Sequence, residues 1–175
     1  MNKQKKEFLE FYNPIHDSFS RFCRAISGNI DDSKDLIQDS ILNVLESFDK
    51  IRDISAFKSY IFSVASNLNK MKHRKNKFKA HFNNQEMNQI IDSTQNPEYM
   101  ADFNIIYEKI LSLPQKMSET IILYHISDLS LKEIQKIQGG SLSGVKLRLK
   151  RGREKVLKLL NTPEQVKKAL MLLTI

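Results

Sequence analysis

Apolar side chains recur every three or four residues along most of this chain, and no run alternates at the two-residue period of a strand. The first such stretch predicts a helix over 8–27, stopped near Gly28. Asp32 then serves as the expected cap of a second helix, with Asp35 three residues on, and Leu36, Ile37, Ile41, Val44, Leu45 and Phe48 as its buried stripe. A polar connection, "DKIRDIS", leads to a third helix over 56–78. Its apolar positions are Phe57, Tyr60, Ile61, Val64, Ala65, Leu68 and Met71, and Ser59, Ser63, Ser66, Asn67 and Lys70 occupy the other face.

From 80 to 103 the pattern fades into an Asn- and Gln-rich stretch containing Pro97, which reads as a linker. Helical spacing resumes at Ile105, Ile106, Ile110 and Leu113, is punctuated by Pro114, and continues in a helix over 116–126. Ser130 and Glu133 have the spacing of a capping box at the start of a short helix that stops at Gly139. Ser141 caps a longer one running to about Leu160, burying Val145, Leu149, Val156 and either Leu159 or Leu160. Thr162, Pro163 and Gln165 open a last amphipathic helix with Val166, Ala169, Leu170 and Leu173 as its stripe. That helix either packs on the preceding domain or offers a regulatory contact.

The expected fold is therefore all-α: two small helical domains joined by a linker, the second containing a helix-turn-helix. The boundaries are 1–79, a linker over 80–103, 104–160, and a C-terminal helical extension over 161–175.

Charge changes the picture from fold to partner. The net charge is +8, with a pI near 9.5, which favours an anionic partner. Two basic clusters stand out: one from Lys70 through Lys72, Arg74 and Lys75 to Lys79, and one at Lys146, Arg148, Lys150, Arg151, Arg153, Lys155 and Lys158. The second lies on the rear helix of the helix-turn-helix, the one that enters a major groove in such motifs. An ordinary helical hairpin with a solvated basic face has the same local pattern.

Enzyme chemistry finds no support. His16, His73, His81 and His125 are scattered, and no metalloprotease, nucleophile-elbow or phosphate-loop motif occurs. No catalytic residue, metal site or cofactor is expected; the aspartates at 31, 32, 35 and 39 lack the histidines or loop of a metal site. Cys23 is the single cysteine and sits among Phe19, Phe22 and Ile26, as a buried thiol would. The chain shows no signal-peptide pattern and no membrane-spanning run, so membrane insertion is not expected and a cytoplasmic location is.

The order of motifs carries a resemblance. "DLIQDSILNVLESFDK" followed by "AFKSYIFSVASNLNKMKHRK" resembles the second conserved region of bacterial sigma-70 factors, and "LPQKMSETIILYHISDLSLKEIQKIQGGSLSGVKLRLKRGREKV" resembles the fourth. Two such regions and a short linker within 175 residues are similar to the extracytoplasmic-function group.

The resemblance implies a subunit that confers promoter specificity on core RNA polymerase. Asp35, Gln38 and Asp39 would face the clamp helices of the largest subunit. Asn67, flanked by Ser66 and Lys70, would read an extruded base of the −10 element, in a pocket partly formed by the "KIRDIS" loop. Lys70, Lys72, Arg74 and Lys75 would hold phosphates there. Tyr60, where the family commonly has Trp, is a core residue by spacing and a stacking residue by resemblance. Lys146, Arg148 and Arg151, with Ser143, would contact the −35 element, while the polymerase β-subunit flap clasps the domain's other side. An anti-sigma factor is the implied regulator.

Two alternatives remain on the residues alone: a free-standing helix-turn-helix regulator, and a basic helical interaction protein. The "DLIQDS…AFKSYIFSVASN" segment separates the first reading from both. The family usually has apolar or small residues where Gln135, Gln138 and Gly140 stand. These departures predict a loosely packed reading head, with fast amide exchange over 135–142.

Overall fold

The structure is a computed structural model that describes residues 3–51, 53–76 and 97–174, without the side chains of 3, 75, 76, 97–102 and 174. Among these residues the regular structure is all α-helix and short 3-10 turns. The chain divides into two units, Met1–Glu86 and Met87–Ile175.

The first unit holds α1 (Lys3–Tyr12), α2 (His16–Ser27), α3 (Ile30–Glu46) and α4 (Phe57–Asn76). The single helix expected over 8–27 is in fact two, separated by a 3-10 turn at Asn13–Ile15. Pro14 is the cause: it has no N–H to donate, and its ring would strike the carbonyl four residues back. Gly28 ends α2 at φ 81°. The cap of α3 is Asn29, not Asp32. Asn29 Oδ1 accepts from the Asp32 amide at 2.7 Å, and Asn29 Nδ2 donates to the Asp32 carboxylate at 2.8 Å. With only Gly28 and Asn29 between the helices, capping falls to the first residue able to do it.

The core of this unit is aromatic. Phe62 is fully buried, with ring centroids 5.2 Å from both Phe19 and Phe22. Phe8, Phe48 and Phe57 form a second edge-to-face group beside Tyr12. Cys23 is buried and burial pushes its thiol pKa up, the setting of an inert structural thiol.

Phe62 also turns α4 relative to the expected stripe. The face that packs is Phe57, Ile61, Phe62, Ala65, Ser66 and Asn69, whereas Tyr60 and Met71 are 39% and 55% exposed. Burying a Phe ring outweighs burying a Tyr or Met whose polar or flexible end tolerates water. The polar residues on the inner face are short, and Asn69 Nδ2 donates to the Ile26 carbonyl at 2.9 Å, near the end of α2. On α3, Ser40 likewise donates back to the Leu36 carbonyl at 2.6 Å. Small bonded side chains let α2, α3 and α4 pack mutually.

The second unit holds α5 (Pro97–Leu111), α6 (Gln115–His125), α7 (Leu131–Gln138), α8 (Leu142–Lys158) and α9 (Pro163–Thr174). Helix α5 begins inside the segment read as linker, because Pro97 takes the first helical position, where its missing N–H costs nothing. Residues 80–96 of that segment lie outside the described residues. Helix α8 packs on α5, α6, α7 and α9. Helix α9 is capped by Thr162, which accepts from the Gln165 amide at 3.2 Å. It buries Ala169 and Leu173 against this unit while Leu170, expected in the stripe, is exposed.

Candidate nucleic-acid and polymerase interface

The rotation of α4 decides what that helix offers to solvent. Tyr60, Asn67, Met71 and Arg74, at helical intervals of seven, four and three, are all exposed and form one strip. Tyr60 is thus a surface residue and not the core residue its spacing predicted; its hydroxyl lies 3.1 Å from Ser47 Oγ. Beside it opens a pocket of about 370 Å³ lined by Ser47, Lys50, Ile51, Asp53, Ala56 and Tyr60. The "KIRDIS" loop thus contributes to a pocket beside the α4 strip.

Ser66, expected next to Asn67 on the outer side, is 6% exposed and belongs to the inner face. One residue along a helix is a turn of about 100°, enough to exchange inside for outside once Phe62 sets the register. Lys70 is half-buried and Arg74 exposed; the side chain of Lys75 lies outside the described residues. Lys72 is committed within the fold to Asp32. Burial by itself would raise the Asp32 carboxyl, but hydrogen bonds from Lys72 and Asn29 and the charges of Lys72 and His73 outweigh it and hold the pKa below the usual carboxylate value. A phosphate at Lys72 would have to compete with that carboxylate.

On α3, Asp35, Gln38 and Asp39 are exposed together. The same row includes Leu42, 56% exposed, which the sequence reading passed over. Its signal is present: apart from Ile30 in the first turn, Leu42 is the apolar residue of α3 outside the 36–37–41–44–45 stripe.

In the second unit the helix-turn-helix forms as the capping pattern predicts. Ser130 accepts from the Glu133 amide at 3.3 Å, and Glu133 Oε2 accepts from the Ser130 amide at 2.8 Å. Gly139 and Gly140 turn the chain at φ 70° and 87°, conformations that disfavour a side chain. Ser141 Oγ then caps α8 by accepting from the Gly144 amide at 3.1 Å.

The basic residues of α8 divide into two sets. Lys146, Lys150 and Arg151 are exposed, as is Ser143. Arg148 and Arg153, expected on that same face, are half-buried and bonded inward. Arg148 Nη1 donates to Gln138 Oε1 at 2.6 Å. The Gln138 amide in turn donates to the Lys116 carbonyl at 3.1 Å, and its Oε1 lies 2.9 Å from Thr120 Oγ1. Gln135 Nε2 donates to the Gly140 carbonyl at 3.0 Å. The turn predicted to be loose is therefore laced by its two glutamines, which are long enough to reach backbone carbonyls that an Ala and a Leu would leave unbonded.

Arg153 Nε and Nη2 donate to His125 Nε2 at 3.1 and 2.9 Å, and its guanidinium lies 5.3 Å from the Tyr124 ring. Arginine only donates, so Nε2 must be the unprotonated nitrogen of a neutral ring. Burial, reinforced by the Arg153 charge and opposed by Asp128, takes the His125 pKa down to about 4. Unfolding therefore takes up a proton between about pH 4 and the ordinary histidine value of about 6.5. This contribution to stability is complete above about pH 6.5 and declines as pH falls toward 4. Proton NMR is expected to show the His125 ring neutral down to about pH 5; a titration midpoint near the ordinary value would disprove the assignment.

Among the described residues no group of His, Cys, Asp or Glu is arranged to hold a metal ion, and no helix is long and apolar enough to cross a membrane.

Comparison with known proteins gives a consistent result for both units. The family model "Sigma-70 region 2" matches residues 11–79 and "Sigma-70, region 4" matches 103–156. The chain is 27% identical over 160 residues to the ECF RNA polymerase sigma factor SigW of Bacillus subtilis (strain 168), covering 84% of this chain and 85% of that protein. It is 26% identical over 143 residues to ECF RNA polymerase sigma factor EcfG of Rhodopseudomonas palustris (strain TIE-1), covering 82% and 79%. A solved structure, the sigma factor RpoE in complex with the anti-sigma factor NepR from Bartonella quintana, shares the fold with a TM-score of 0.72 at 21% identity, over 90% of this chain and 99% of that one.

Proposed function

From the premise that the chain belongs to the sigma-70 family, as an extracytoplasmic-function member, and is an RNA polymerase sigma factor for promoter recognition, we propose how its surfaces divide that task. The exposed row Asp35, Gln38, Asp39 and Leu42 of α3 docks on the clamp helices of core polymerase. The α4 strip meets the −10 element. Asn67 bonds to the edge of an extruded base, Tyr60 supplies a ring beside the pocket that receives a base, and Lys70, Arg74 and Lys75 hold phosphates. Extruding a base costs a few kcal/mol, and stacking on a ring returns about 1–3 kcal/mol.

Helix α8 lies in the major groove of the −35 element, with Ser143, Lys146 and Arg151 at the DNA. Arg148, bonded to Gln138, holds the reading helix rather than the base. The β-subunit flap clasps the other side of this domain. Residues 1–79 thus serve core and −10 binding, 80–103 link the two tasks, 104–160 serve the −35 element and 161–175 extend the second domain. The protein works in the cytoplasm beside polymerase and catalyses no reaction of its own. An anti-sigma factor, as in the complex of the Bartonella relative, controls it by covering the polymerase-facing surfaces.

The observation that supports this division most is the pairing, in the family's order, of two separate units, each matched by its own sigma-70 region. The test is to mix the full chain with bacterial core polymerase and score transcripts on genomic fragments. Promoter-specific transcripts dependent on the protein are expected. Binding to a palindromic site without any association with core would replace this division with that of a free-standing regulator.

A further inference from the structure

One residue on the outer face of α8 does not fit a purely electrostatic contact. Leu147 is 46% exposed, with Ser143, Lys146, Lys150 and Arg151 exposed around it. The helix seats itself through Val145, Leu149, Gly152 and Val156. At about 100° per residue, Leu147 projects almost directly away from that seam. It therefore stands at the crest of the helix, in its second turn, while Arg148 is drawn aside to Gln138. An exposed leucine alone is ordinary. An exposed leucine at the crest of a recognition helix, ringed by cations and a small hydroxyl, meets whatever the cations bring.

Resting on the promoter-binding reading above, we propose that Leu147 is a specificity-determining residue that packs against the C5-methyl of a thymine in the −35 element. The methyl is the apolar feature that a base pair presents in the major groove, and it distinguishes thymine from every other base. The neighbouring Lys146, Lys150 and Arg151 bring phosphates and polar base edges, which gain nothing from a leucine and would strand it in water. Glu154, exposed two turns further along the same side, repels phosphate and marks where the DNA-facing part of the helix ends.

The experiment uses holoenzyme reconstituted from the full chain and core polymerase on the promoters it selects. Each thymine of the −35 element, on either strand, is replaced singly by deoxyuridine, which removes the methyl and leaves every hydrogen-bonding group. With the unaltered protein, binding is expected to fall about three- to five-fold at one or two positions, the worth of one buried methyl group. Leu147→Ala, a change toward a better helix former, is expected to bind more weakly and to be indifferent to deoxyuridine at those positions. Lys146→Ala is expected to weaken binding yet keep the deoxyuridine effect.

Indifference of the unaltered protein at every position overturns the proposal, as does full deoxyuridine sensitivity in Leu147→Ala, or a selected −35 element without an A·T pair. In each of those cases the sigma-factor reading stands. A holoenzyme that selects no promoter overturns that reading, and the proposal with it.

Discussion

Gly152→Leu is expected to unfold the helix-turn-helix at temperatures where the unaltered chain is intact. Gly152 is buried in the middle of α8, where a Cβ would lie 2.9 Å from Ile121 Cδ1 and 3.0 Å from Met117 Cγ. Ile121 is fully buried, so it cannot swing into solvent to make room. The absent side chain is what lets α8 seat on α6. Glycine inside a helix costs about 1 kcal/mol relative to alanine, and the close approach offsets that cost. Gly152→Ala therefore sets a gain in helix propensity against a clash of a few tenths of an ångström, and should be nearly neutral. Leucine adds three further carbons with nowhere to go, for a loss of about 3 kcal/mol or more. In a domain of this size that corresponds to a fall in Tm of roughly 12–24 °C. Hydrogen exchange of the α6, α7 and α8 amides in the full chain checks it. Leucine and alanine variants of equal stability would show that α6 yields easily and that the glycine has another purpose.

The helices were legible because spacing and capping chemistry are local. Ser130 with Glu133, Gly139, Ser141 and Thr162 all perform as their neighbours in sequence predict. Apart from the break at Pro14, the Asn29 cap and the early start of α5, the misreadings concern which way a helix faces, a property of its partners. Nothing within α4 says that Phe62 will sit between Phe19 and Phe22, some forty residues earlier in the chain. Without that fact Tyr60 looks as apolar as Phe62, and Ser66 as exposed as Asn67. Short polar residues compound the problem, since Ser33, Ser40 and Asn69 are buried with their hydrogen bonds made inside the helix or to the end of another.

Long polar residues mislead in the opposite sense. Arg148 and Arg153 read as surface charge from any helical wheel, yet each reaches back to a partner on another helix, Gln138 or His125. Gln138 looked like a flaw in the turn and is instead the acceptor for Arg148 and the donor to the Lys116 carbonyl. A departure from a family's usual residue need not weaken a fold when the new side chain finds partners of its own, as Gln138 does. The consequence for the site is a narrower set of outward residues on α8, Lys146, Leu147, Lys150 and Arg151, with the two inward arginines bonded to neighbouring helices.

Asn67→Ala is expected to slow promoter opening by roughly five- to 150-fold while leaving the affinity for core polymerase unchanged. Asn67 is exposed in the α4 strip, on the face turned away from Phe62 and Asn69, so its removal leaves no cavity and strands no buried partner. Alanine also favours the helix. What is lost is an amide able to donate and accept at a base edge, available only after the base has left the stack. An interaction made with the extruded base lowers the barrier to extrusion, and losing about 1–3 kcal/mol of it gives the stated change in rate. Permanganate reactivity of unpaired thymines, followed in time on a linear promoter, measures opening; competition for core polymerase against a second sigma factor measures docking. The buried neighbour is the contrasting case, because Asn69→Ala removes the bond to the Ile26 carbonyl and should lower the stability of the first unit. If Asn67→Ala weakens core binding as much as it slows opening, or opens a premelted promoter as slowly as a duplex one, Asn67 does not act on the extruded base.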